Sequence, residues 1–115
     1  IDRMIDVFPA EQQPQIRSQL AGILMAVCSQ RLVPAIGGGR VVAAEIMIVN
    51  SAVRAIIREG KTHQLDNTIQ TGANEGMQTM DRTLAKLVQQ GTVTYDSARN
   101  YAVDVREFDR LVKGI

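Results

Sequence analysis

Three consecutive glycines, Gly37-Gly38-Gly39, stand between two apolar runs at residues 31–36 and 40–49. Glycine takes positive φ without steric cost, so three in a row favour a reversal of the chain. Between runs of strand length they predict a β-hairpin. The second run, VVAAEIMIV, is apolar at odd and even positions alike, the pattern of a strand covered on both faces. Two strands make a poor sheet alone, so further strands are expected upstream of residue 1. Glu45 interrupts the run. An unpaired buried carboxylate is costly, so a salt bridge or hydrogen bond to a neighbouring arginine is expected there.

The rest of the chain reads as helix. Residues 2–8 form a short amphipathic turn or helix stopped by Pro9. Pro14 sits where a first helical turn tolerates proline. From there Ile16, Leu20, Ile23, Leu24, Val27 and Cys28 recur at helical spacing and predict a helix over 11–29, with Cys28 in the core. Residues 51–59 form an amphipathic helix ended by Gly60. Thr62 is expected to cap the next helix, which fades by Gly72. Thr79 caps a third, with Met80, Leu84, Leu87 and Val88 inward and Gly91 as its stop. Thr94 caps a fourth. Asp104 and Glu107 make a capping box for a fifth, carrying Val105, Phe108, Leu111 and Val112. The segment 72–76 (GANEG) is the most flexible-looking joint.

Composition narrows the function. The chain has 115 residues, 45% hydrophobic and only 3% aromatic, with no Trp, so its core is aliphatic. Stacking platforms for single-stranded nucleic acid are lacking. A net charge of +1 supplies no field for duplex binding. One cysteine excludes disulfide scaffolds and multi-cysteine zinc sites. No apolar run approaches the ~20 residues of a membrane span. The chain opens in a helical pattern at Ile1-Asp2-Arg3, with no signal peptide and no initiator methionine, as a fragment or processed product would.

Gly60-Lys61-Thr62 mimics the end of a phosphate-binding loop. The first glycine of that loop would fall at Ala55, and residues 52–59 read as helix where the loop must be extended. Helix punctuation is the better reading. Gly37-Gly38-Gly39 precedes a strand, so no helix N-terminus waits there for phosphate. His63 is a lone histidine, without a metal-binding pattern. The carboxylates fall mostly in caps, first turns and solvated faces, with no acid/base dyad. No catalytic and no metal-binding residue is therefore expected. Arg54 and Arg58, four apart, share a helix face opposite Val53, Ile56 and Ile57. They are either solvated or engage carboxylates on another domain or subunit.

Three segments in order carry a resemblance: DVFP-x-EQQ-x-QIR, then AEIM, then IREGKTHQ. Over nearly its whole length the chain resembles the C-terminal part of the PilT-type type IV pilus retraction ATPases of the secretion ATPase superfamily. The resemblance implies an α/β parent with a RecA-like P-loop NTPase domain. Residues 1–50 would be the end of that domain, a helix plus a β-hairpin. Residues 51–115 would be a small helical C-terminal subdomain. It implies ATP and Mg as cofactors of the parent, but none bound by this segment, because the Walker A, Asp box, Walker B and His box would lie upstream. It also implies a homo-hexamer that acts on an inner-membrane pilus platform protein, cytoplasmic and peripheral to the membrane, powering retraction and twitching motility. The family's retraction motif, A-I-R-N-L-I-R-E, falls on Ala52, Val53, Arg54, Ala55, Ile56, Ile57, Arg58 and Glu59. Ala52, Arg54, Ile57, Arg58 and Glu59 match. Val53 and Ile56 stay apolar, and Ala55 replaces the Asn. Alternatives are a stand-alone helical interaction module, or a segment of a related pilus-assembly or type II secretion ATPase; the arginine helix favours the retraction branch.

Overall fold

The computed structural model describes residues 1–113. The helices are α1 (Asp2–Asp6), α2 (Gln13–Ile23), α3 (Ser51–Glu59), α4 (Leu65–Thr71), α5 (Met80–Gln89), α6 (Tyr95–Arg99) and α7 (Val105–Lys113). The strands are β1 (Ala26–Pro34) and β2 (Arg40–Ile48), and single 3₁₀ turns occupy Ala10–Gln12, Thr62–Gln64 and Ala73–Glu75. By packing, the chain divides into two compact units, each built from two separate stretches. One joins Ile1–Val27 with Met47–Met77; the other joins Cys28–Ile46 with the chain from Gln78 onward. These units cut the chain differently from the segments 1–50 and 51–115, the last two residues of which lie outside the described residues.

β1 and β2 pair as the hairpin, and Gly37, Gly38 and Gly39 turn it with φ of 89°, 105° and 73°. The strand limits depart from expectation. α2 stops at Ile23, Leu24 is already extended, and β1 begins at Ala26. Over residues 24–28 a short apolar run fits helix and strand periods alike, and the ladder to β2 decides. Cys28 consequently lies exposed on β1 and is not a core residue. The double-sided cover expected for β2 is incomplete. Ala43 and Met47 are buried, whereas Val42 is 51% exposed. Ala44, Glu45, Ile46 and Ile48 are half-buried, so cover along β2 is uneven and does not alternate strictly.

In the first unit, Ala21, Met47, Val49, Val53, Ile57, Ile69 and Met77 form the core. Thr62 does not cap a helix. Lys61 precedes the 3₁₀ turn, and the Thr62 hydroxyl donates to both carboxylate oxygens of Asp2, at 3.0 and 2.9 Å. The 3₁₀ turn delays α4 to Leu65, out of reach of a Thr62 cap. The 72–76 joint is a 3₁₀ turn whose Glu75 accepts a 2.7 Å hydrogen bond from the Asn50 amide.

The second unit is organised around α5. Its core is Val33, Ala43, Met80, Leu84, Ala85, Val93, Ala98 and Phe108. Burying a side chain as large as Phe108 contributes about 1.5–3 kcal/mol. Thr79 caps α5 as expected, accepting from the Arg82 N–H at 3.1 Å. Glu45 accepts from the Met80 N–H at 3.2 Å, so the strand carboxylate serves the positive end of this helix. The Ala44 carbonyl accepts from Gln78 and Thr83, stitching β2 to α5. Thr94 caps α6 through the Ser97 N–H.

Asp81 is one of the first-turn carboxylates, in α5, but only 5% exposed. Its carboxylate accepts from the N–H groups of Val103 and Asp104, at 2.7 and 3.0 Å. That changes the expected capping box. Asp104 accepts from the N–H groups of Arg106 and Glu107. The reciprocal site, the Asp104 N–H, is taken by Asp81, and Glu107 pairs instead with Arg110 at 2.6 Å. The Arg110 guanidinium holds the Glu107 carboxyl below its usual range.

Tyr95 stacks on Phe108 with ring centroids 5.7 Å apart and donates its hydroxyl proton to Asp109. That hydrogen bond raises the Tyr95 pKa above its ordinary 10.0, with desolvation and the Asp109 charge acting the same way. The unfolded chain then loses this proton first. The stabilisation is complete below the unfolded pKa and is lost as pH rises through the folded one. The stability advantage of the native protein over Tyr95→Phe is therefore expected to shrink above pH 10.0, as read by urea denaturation across an alkaline pH series.

Candidate functional site: the helix α3

The sequence from Asn50 to Gly60 contains a complete set of helix signals. Asn50 is the N-cap: its side-chain oxygen accepts from the Val53 N–H at 2.9 Å. Sequence reasoning passed over it, although Asn directly before an amphipathic run is a start signal. At the other end Gly60 has φ 73°, and its N–H donates to the carbonyls of Ile56 and Ile57. A residue with a Cβ is strained in that left-handed conformation by about 1–2 kcal/mol. Gly60→Ala is expected to lower stability by about that amount, measurable as a fall in the melting temperature.

The helix has one buried face. Val53 and Ile57 are fully buried and Ile56 is nearly so. The outer positions divide into two kinds. Ala52, Arg58 and Glu59 are exposed, while Arg54 and Ala55 are half-buried. Glu59 lies 3.6 Å from Lys61 in an exposed ion pair worth little by itself.

Arg54 and Arg58 do not act as a matched pair. Arg54 Nη1 donates to the carbonyl of Ala21 at 2.6 Å. That carbonyl lies in the last turn of α2, where helix carbonyls lack intrahelical partners, so Arg54 caps the neighbouring helix. Arg58 points to solvent. The spacing could not reveal this difference, because it depends on what packs beside each position.

The other signals occupy separate places. Residues 51–59 are helical, so the backbone before Gly60-Lys61-Thr62 cannot form the extended loop that cradles phosphate. His63 is exposed in the 3₁₀ turn Thr62–Gln64. Among the described residues no three His, Cys, Asp or Glu side chains are grouped to hold a metal. No described helix is long and apolar enough to cross a membrane. On the second unit, Arg82, Ala85, Lys86, Gln89 and Leu111 line an open depression of about 350 Å³. They bring together no acid/base or nucleophilic grouping.

Comparison with known proteins gives this arrangement a context. No family model matches the chain. It is 50% identical over 102 residues to the type IV pilus retraction ATPase PilT of Pseudomonas aeruginosa, covering 89% of this chain and 30% of that protein. It is 48% identical over 103 residues to a twitching motility protein of Neisseria gonorrhoeae, covering 89% and 28%. The P. aeruginosa pilus ATPase PilU is 32% identical over 114 residues, covering 98% and 30%. The chain thus spans under a third of the length of these relatives. A crystal structure of the pilus retraction motor PilT with bound ADP superposes with a TM-score of 0.81 at 44% identity, covering 95% of this chain and 30% of that one. The ATPase DotB of Legionella pneumophila gives a TM-score of 0.67 at 19% identity, covering 87% and 27%, which bears on the fold alone.

The fold is that of a segment of the RecA-like ATPases to which these motors belong. Within that class, the sequence is homologous to a C-terminal segment of the PilT-type pilus retraction ATPases.

Proposed function

We propose that this chain is the output segment of an ATP-driven motor for type IV pilus retraction and twitching motility. In the parent, ATP with Mg would be hydrolysed by residues outside this chain, in a ring of six identical subunits. The ring would work on a platform protein from the cytoplasmic face of the inner membrane. Residues 1–50 would close the RecA-like domain, and 51–115 would form the subdomain that transmits its motion. The observation that carries the reading is the 50% identity to a pilus retraction ATPase over 89% of the chain. The α3 helix supports it. Its apolar face is packed, its ends are capped, and Arg58 and Glu59 remain available to another surface.

The test uses the full-length protein that carries this sequence. Supplied to cells lacking their own retraction motor, it is expected to restore twitching; a stable, well-expressed protein that does not restore it counts against the proposal. A second measurement addresses the division of labour. The isolated 115 residues are expected to show no saturable, Mg-dependent ATP binding by titration calorimetry. Such binding would mean that nucleotide chemistry resides in this segment after all.

A further inference from the structure

Arg17 of α2 lies across the end of α3. A Cβ built on Gly60 would sit 3.4 Å from Arg17 Cζ and 3.4 Å from Nε. The guanidinium therefore lies in van der Waals reach of the Gly60 backbone, at the C-terminal end of α3. Its Nη1 is buried and has no hydrogen-bond acceptor among the described residues. Leaving a buried donor unpaired is unfavourable, so something must favour this placement. Two things do. The cation sits at the negative end of α3. The side chain as a whole is half-buried, so its stem need not be desolvated in full.

Arg17 is one turn before Ala21 on α2, the residue whose carbonyl accepts Arg54. The two helices thus exchange arginines. Arg54 reaches from α3 to the last turn of α2, and Arg17 reaches from α2 to the last turn of α3. We propose that Arg17 is a positioning residue for α3: it holds the helix end at Gly60 and so determines how Arg58 and Glu59 are presented. Its functional consequence rests on α3 being the coupling helix of a retraction motor.

Amide hydrogen exchange tests it in the 115-residue chain. The N–H groups of Gly60 and Lys61 close the end of α3 on the carbonyls of Ile57 and Ile56. Arg17→Met keeps the stem and removes the guanidinium. It is expected to speed exchange at these two amides about tenfold while the amides of α5 stay unchanged. Unchanged exchange at Gly60 and Lys61 would overturn the proposal. Should Arg17→Met fail to fold, the native protein still decides. Slow rotation of the Arg17 guanidinium by nitrogen NMR supports the clamp, and rotation as fast as that of exposed Arg58 refutes it. In the full-length parent, Arg17→Met is expected to impair retraction and spare ATP hydrolysis. Faster exchange with normal retraction would support the clamp and remove α3 from the motor's output, so the two ideas fail separately.

Discussion

Asp81→Ala is expected to cost about 3 kcal/mol of stability, from two hydrogen bonds to a charged acceptor and two donors left without it. The carboxylate accepts the Val103 and Asp104 N–H groups from within a nearly closed environment. Asp81→Asn is expected to do little better. Its amide presents one acceptor and one donor to two backbone donors, so one contact becomes a clash of protons. Tyrosine fluorescence during urea denaturation is a suitable readout, because both tyrosines, Tyr95 and Tyr101, lie in the unit that Asp81 holds together. A midpoint within error of the native protein for both variants would show that α5 and α7 do not need this staple.

The second large effect separates the two arginines of α3. In the full-length parent, Arg58→Ala is expected to abolish twitching while leaving the melting temperature near that of the native protein, since an exposed substitution moves stability by about 0.5 kcal/mol or less. Arg54→Ala is expected to lower stability by about 1–2 kcal/mol through loss of its charged hydrogen bond to Ala21. Any loss of retraction in that variant would follow from the displaced helix. Thermal denaturation of each single variant beside a twitching assay resolves the two cases. Normal twitching with Arg58→Ala would return that side chain to an ordinary solvated role, and an unaltered melting temperature with Arg54→Ala would show that the Ala21 carbonyl does not depend on it.

Much of this was legible where local chemistry determines local structure. The hairpin turn, the stop at Gly60 and the Thr79, Thr94 and Asp104 caps are set by residues within a few positions of where they act. The failures share a different origin. The end of α2 depends on pairing with a strand more than ten residues away, so Cys28 read as a helical core residue and is an exposed strand residue. Asp81 is an ordinary first-turn acid until the loop before α7 folds over it. Thr62 has the right chemistry for a cap, yet finds its partner in Asp2, far away in sequence. For the candidate site, the amphipathic helix and its residues were readable. The inward role of Arg54 and the presence of Arg17 were not, because both arise from the helix packed alongside.

The way the two units share the chain has a consequence for synthesis. The backbone passes from one unit to the other at 27–28, at 46–47 and again at 77–78. A nascent chain therefore cannot finish its first unit before starting its second. When α3 emerges, α2 is already waiting for it, while the intervening hairpin still lacks α5, which is to cover it. Until about the time Met80 and Leu84 appear, the apolar residues Val33 and Ala43 have no core to enter. This window, in which a β-hairpin is made but uncovered, is where a stalled or truncated product is most prone to aggregate.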